Sequence, residues 1–544
     1  MSRKRVHLLL LSLAAGSALL AIFVQPGASR STASQRDGGI FRIHLNSASG
    51  IDYIDPALAS TPAGWAVLDT TCARLMTYPD KPAPKAFRLV TEVAAGFPRV
   101  SKDGTTYTFA LRTGFRFSDG TPVRASAFAR AINRTLAPAV DSPGAQYTRD
   151  IAGAADVLAG RTTAAAGVVA RGNTLVVRFA RPVPDFLHRT ASTFFCAVPP
   201  TLPADPEGVN AHPGAGPYYV ADYRPGERVV IRRNRHYGGK RPHHVDGFDV
   251  DLRGTSPQEV IRSVDRGAAD WTTTIAGIYF DPSLALVSKY GINRSQLFVR
   301  RGLTMKMFAF NSARPLFRDN PNLRKAVNFA LDRWALKAGP LASQASDQYL
   351  PSIMPGFKDA SIYPLAGDLQ RARELARGNL RGGKLVLYTN DTPLPLAQGQ
   401  LLKQQLAQIG LEVEIRGIPI HSASSAYFNK LGNPGEPWDM ALGFWTPAYI
   451  DPYAYINLLF DAQFIGNTNF TRFQSGFDGQ MRRAARLPQA RDRNSTYGAL
   501  DVRIAREAAP VAAIEYLNEI TLVSKRVGCI TLRPTLDLTT VCLK

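Results

Sequence analysis

The chain runs to 544 residues, 45% hydrophobic and 20% charged, a length beyond what one hydrophobic core organises, so several domains are expected. Glycine, proline and aromatics are spread along it, an ordinary globular composition that excludes long disordered regions. The formal net charge of +22 brings nucleic acid, anionic membrane surfaces and acidic ligands into view. The basic residues are scattered, however, mostly as arginines in short groups such as Arg232, Arg233 and Arg235. With no block that tracks phosphates, the charge reads as a solvated basic surface and not as a nucleic-acid site.

In chain order, Arg3, Lys4 and Arg5 precede an apolar run from Leu8 to Val24, followed by Pro26, Gly27, Ala28 and Ser29. That is the order of an export signal, so residues 1–37 read as leader and linker. The run also reaches the lower edge of a bilayer span, which leaves an uncleaved N-terminal anchor as the alternative. No cysteine lies near its end, excluding a lipid anchor there.

Gly38 to Leu45 alternates apolar and polar residues and predicts a strand; Ile54-Asp55-Pro56 ends that opening segment. Tyr107, Phe109 and Leu111 alternate with polar or small residues between Asp103-Gly104 and Asp119-Gly120, and Leu175, Val177 and Phe179 repeat the pattern behind Gly172-Asn173. A hairpin-rich module follows from this, with a helix over Ala125, Phe128 and Ile132 between the strands. Asn320-Pro321 reads as an N-cap and first helical position leading into Leu323, Val327, Ala330, Leu331 and Trp334. Leu385–Tyr388 is a short apolar strand, Leu402, Leu406 and Ile409 fall at helical spacing, Gly410 stops the helix, and Leu411, Val413 and Ile415 alternate again. That strand-helix-strand unit predicts a mixed sheet with helices packed over it.

Cys529 and Cys542 are spaced as a hairpin bridges them, and an exported chain favours the bond; Cys72 and Cys196 read equally as a second bridge or as free buried thiols. No Cys/His cluster has metal-site spacing. Gly378 to Leu385 nearly matches a phosphate loop, but Leu385 stands where the hydroxyl is needed and a strand follows. His243-His244 reads as an exposed pair. With no nucleophile elbow, zinc-protease helix or Ser-x-x-Lys motif, no enzyme and no cofactor are expected.

Several stretches, in order, resemble the dipeptide- and oligopeptide-binding family of ABC-importer solute-binding proteins (extracellular solute-binding proteins, family 5). They are Val93–Phe97, Asp103–Arg112, Phe115–Pro122, Gly216–Val220 with Pro225-Gly226 and Asn234, Gly267–Asp270, Phe308–Asn311, Leu323–Val327, Leu331–Arg333 and Gly443–Pro452. The resemblance implies an α/β fold of the type II periplasmic-binding-protein kind, with three domains and a discontinuous first lobe. On this sequence that lobe takes residues 38–70, 200–299 and 511–544, the extra module 71–199, and the second lobe 300–510. It also implies a monomer that closes on a peptide or peptide-like solute in the periplasm or at the cell surface and serves a membrane permease. The implied ligand contacts are Phe444, Trp445, Ala448 and Tyr449 of the cleft motif, with Asn311 and, more weakly, Tyr53. Flat amphipathic rings supply contact area at little entropic cost, although Trp445 and Tyr449 also suit a core, and Asn311 equally suits a tie between hinge strands.

Asp451, before Pro452 and a helical run, reads as a cap. Where well-studied peptide binders carry an aspartate for the peptide's amino terminus, this chain has Ala448. A buried ammonium without its counter-charge is costly, so either the guest lacks a free amine there or another carboxylate serves it. The rival readings are a binder of another solute (nickel chelate, haem, oligosaccharide) and an exported hydrolase.

Overall fold

The computed structural model of the protein describes residues 37–46, 51–273, 283–419, 424–531, 533 and 538–544. The leader, with the alternative of an uncleaved anchor, lies outside the described residues. Among those described, no helix is long and apolar enough to cross a membrane.

Alternation becomes strand wherever one face finds a core. Ile40–Asn46 buries Phe41, Ile43 and Leu45 and pairs in parallel with Gly247–Gly254. In the module, Thr106–Ala110 and Thr174–Arg178 pair so that Tyr107 faces Val177 and Phe109 faces Leu175, within a four-stranded sheet completed by Arg99–Val100 and Val168–Arg171. The helix Ala125–Leu136 buries Phe128 and Ile132. Lys384–Asn390 and Glu412–Ile418 are parallel neighbours joined by the helix Pro393–Ala407. Gly410, at φ +89°, supplies the left-handed residue that turns the chain back.

One expectation needs correction. Asn320 does cap a helix, its side chain accepting from the Leu323 amide at 3.3 Å, but that helix ends at Ala330 and not beyond Trp334. Asp332 accepts the Ala335 amide at 3.0 Å and starts a separate turn, Arg333–Leu336, leaving Trp334 54% exposed. Leu331, the residue that closes the first helix, is itself buried, so apolar spacing alone does not reveal the break.

Outside the module, the two larger parts share one eleven-stranded sheet. Its order is Glu412–Ile418, Lys384–Asn390, Met440–Trp445, Leu297–Phe310, Val511–Val523, Trp271–Thr273, Ile40–Asn46, Gly247–Gly254, Arg228–Arg233 and Tyr218–Arg224, with Ser343–Ala345 beside Val511–Val523. The two long antiparallel strands in the middle, Leu297–Phe310 and Val511–Val523, cross between two cores. Leu297, Val299, Ile520 and Leu522 pack with Phe41, Val250 and Trp271. Phe308, Phe310, Ala512 and Ile514 pack with Leu385, Leu402 and Leu442.

Midway along the crossing the register slips: Arg301 opposes Asn518, yet Met305 opposes Tyr516. This bulge brings Gly302 against the other strand, where a Cβ would stand 2.3 Å from the Leu517 carbonyl oxygen. The Cys72–Cys196 disulfide joins the two ends of the module, and a buried fork of Arg134 on Asp55 at 2.8 and 2.7 Å ties it to the side of the first core. A second disulfide joins Cys529 and Cys542, and no described cysteine is free.

Candidate ligand cleft

Strand Met440–Trp445 runs antiparallel to the crossing strand, with Phe444 opposite Lys306 and Trp445 opposite Met305. Past Trp445 the chain leaves the sheet. The Thr446 hydroxyl lies 2.9 Å from that of Thr304, beside the bulge, and Pro447 has no N–H to continue the ladder. The segment then reaches the helix Tyr453–Phe460 through Asp451. Asp451 lies one residue before the helix's N-cap, which is Pro452 and not Asp451 as expected; it accepts the Tyr453 amide at 3.0 Å and takes a buried contact from Arg493 at 2.6 Å, so it anchors the segment.

Phe444, Trp445 and Ala448 are half-buried and share this one segment. The Trp445 indole donates to the Ala454 carbonyl at 2.7 Å, which fixes the ring plane; Phe444 meets Phe428 edge to face at 5.2 Å. Tyr449 is 1% exposed, its hydroxyl donates to Asp185 of the hairpin module at 2.8 Å, and its ring meets Tyr147 at 5.6 Å. Burial and the Asp185 charge hold its phenol far above the usual tyrosine range. Asn311 is buried with its amide filled, donating to the Trp438 carbonyl at 3.0 Å and accepting from the Ala313 amide at 3.1 Å. Tyr53 lies elsewhere, half-buried among Ala57, Leu58 and Val140, with its phenol raised by partial burial and by Glu207 and Asp52.

Sequence reasoning missed the residues that meet the motif from the module. The Tyr78 hydroxyl accepts the Ile450 amide at 2.9 Å and lies 3.1 Å from His188 Nδ1. Burial pushes the His188 pKa down, which favours a neutral ring. Asp185 holds Arg189 through both oxygens at 2.8 and 3.2 Å; Arg189 also reaches Asp150 at 3.0 Å and lies over the Tyr453 ring at 5.1 Å. Asp150, Asp185 and Arg189 line the module's side of a small cleft, with Tyr453, Gln463 and Arg482 on the side of the second core. No local motif marks Tyr78 or Asp185; the one available hint is a charged residue inside the otherwise apolar run Val183 to Leu187.

Among the described residues no group of three or more His, Cys, Asp or Glu is arranged to hold a metal ion. His244 lies 3.2 Å from Asp37, while His243 Nδ1 is 2.9 Å from the Arg241 carbonyl.

Residues 88–467 match the family model described as bacterial extracellular solute-binding proteins, family 5, middle region. The oligopeptide-binding protein OppA of Bacillus subtilis is 26% identical over 399 residues, covering 69% of this chain and 70% of that one. The probable D,D-dipeptide-binding periplasmic protein DdpA of Escherichia coli is 23% identical, covering 86% of this chain and 87% of that one. Among solved structures, clavulanic acid biosynthesis oligopeptide binding protein 2 superposes with a TM-score of 0.84 at 22% identity, covering 95% and 97% of the two chains.

Proposed function

The chain belongs to the bacterial extracellular solute-binding proteins, family 5, and from that premise we propose that it captures a peptide or peptide-like solute between two lobes and delivers it to the permease of an ABC importer. The observation that carries this reading is mechanical. Two long strands join the halves, slip register at a bulge beside Gly302, and lie against the motif segment Phe444–Tyr449. A guest in contact with both halves favours the shut arrangement, because only there does it gain both sets of contacts.

In this reading residues 38–70, 200–299 and 511–544 form the first lobe, 71–199 the module on its flank and 300–510 the second lobe. Phe444, Trp445 and Ala448 form the guest's wall. Tyr449 serves closure by binding Asp185, Asn311 ties the base of the wall, and Tyr53 lies on the first lobe's side. An extended guest adds to the wall through its backbone, with hydrated room for varied side chains. The protein works outside the cytoplasm after export by its basic and apolar leader, performs no bond chemistry on the guest and needs no cofactor.

Native mass spectrometry of freshly purified protein, followed by calorimetry with the co-purified solute, tests the assignment. A peptide-like mass that binds stoichiometrically is expected. A haem, nickel chelate or sugar in its place overturns the ligand class, and turnover of the bound solute overturns the binding-only role.

A further inference from the structure

The crossing strands carry two cross-strand pairs of opposite charge, and they are treated differently. Lys306 faces Glu515: the ammonium donates to Gln398 at 2.6 Å and lies 3.8 Å from the carboxylate, which also accepts the Ala338 amide at 2.7 Å. That pair is closed off within the second lobe. Arg300 faces Glu519 on the other side of the bulge, yet Arg300 Nε and Nη2 and Glu519 Oε2 are buried without a hydrogen-bond partner. Nε and Nη2 are the two parallel donors with which a guanidinium grips a carboxylate. Leaving three charged-group atoms unpaired is costly enough to call for an explanation.

Their location supplies one. Glu519 Oε1 lies 3.4 Å from where a Cβ on Gly302 would stand, and Thr304, two residues on, touches Thr446 of the cleft motif. On the other flank, Arg533, whose charge acts on Arg300, donates to the Tyr78 carbonyl at 2.9 Å, while the Tyr78 hydroxyl accepts the Ile450 amide. The unfilled pair thus lies at the hinge, bracketed by contacts to both ends of the motif segment. That segment carries no carboxylate of its own before Asp451, which Arg493 occupies.

We propose that Arg300 and Glu519 form a charged subsite at the hinge that takes a compact zwitterionic head group of the guest, its carboxylate on Arg300 and its ammonium on Glu519. Directly opposed side chains on antiparallel strands start about 5 Å apart, a separation that suits both charges on one carbon better than the two distant ends of an extended peptide. This inference rests on the solute-capture reading above and narrows its ligand class to peptides bearing an α-amino-acid head, as side-chain-linked peptides do.

Calorimetry on the unaltered protein with four probes tests it: γ-glutamylglycine, its N-acetyl derivative, its α-amide, and the α-linked isomer glutamylglycine. Binding of the first about 10- to 100-fold tighter than the other three is expected. Arg300→Gln should bring γ-glutamylglycine down to the level of the α-amide, and Glu519→Gln down to that of the N-acetyl form. Equal affinities across the four, or binding of an unrelated neutral peptide in preference to all of them, overturns the subsite and leaves the capture reading standing. If no peptide of any kind binds or compacts the protein, the capture reading itself fails and takes the subsite with it. The probe series decides even where a variant does not fold.

Discussion

Tyr449→Phe removes a single oxygen and leaves the ring in place against Tyr147. The lost hydroxyl donates to a buried carboxylate at 2.8 Å, and Asp185 keeps both of its bonds to Arg189, so no naked charge results. A hydrogen bond to a charged acceptor contributes about 1.5–3 kcal/mol. If it exists only when the module meets the second lobe, its loss shifts the shut population by about 10- to 150-fold and weakens guest binding by up to that factor. Tyr107→Phe is the control: Tyr107 donates to the Val183 carbonyl at 2.9 Å wholly within the module, so its loss lowers the melting temperature and spares affinity. Calorimetric titration with the co-purified solute, alongside differential scanning calorimetry, reads both. Unchanged affinity in Tyr449→Phe with a fall in melting temperature matching that of Tyr107→Phe would refute the reasoning, because the contact would then be permanent.

Replacing Cys72 and Cys196 together by serine opens a loop closed across 124 residues and should cost about 4–5 kcal/mol in denaturant unfolding while binding persists. Arg134→Ala strands the buried Asp55 carboxylate and should cost about 3–5 kcal/mol by the same measurement. Gly302→Val drives side-chain atoms into the Leu517 carbonyl and should cost about 1–3 kcal/mol, with hydrogen exchange accelerated on both crossing strands. Asp501 is fully buried, and burial pushes its carboxyl up to about 7 although the Tyr349 amide donates to it at 2.9 Å. The fold therefore holds a proton that the unfolded chain releases near 4. The associated stability is complete below about pH 4 and is lost as the pH rises to about 7, on the order of 4 kcal/mol in all. The stability in denaturant of the wild type relative to Asp501→Asn should fall with that slope between pH 4 and 7 and level off above it; His212, whose pKa burial lowers to about 4, tilts both proteins the other way and cancels in the difference, and a flat difference would refute the reasoning.

Local chemistry was legible where one residue decides one outcome. Alternation gave the strands carrying Phe109 and Leu175, a side-chain cap and a proline marked the helix start at Asn320, and Gly410 marked a stop. Motif order gave the family. What lay beyond reach was long-range: nothing near Leu297–Phe310 announces Val511–Val523 as its partner, and charges at Arg300, Arg301, Lys306, Glu515 and Glu519 interrupt both stretches. The same holds for the cleft. The motif around Trp445 stood out, but its partners Tyr78 and Asp185 are defined by how the module seats, and the hinge pair Arg300 and Glu519 by register. Asn311 and Tyr449 fit two roles by residue type; only the hydrogen bonds that fill them separate those roles.

The central claim is that two halves swing shut on a guest. Small-angle X-ray scattering of the guest-free and guest-saturated protein tests it most directly. The account predicts that the free protein scatters as a more extended particle and that the saturated one contracts to the dimensions of the structure described above. Superimposable profiles at saturation, with binding verified in the same sample, would contradict it.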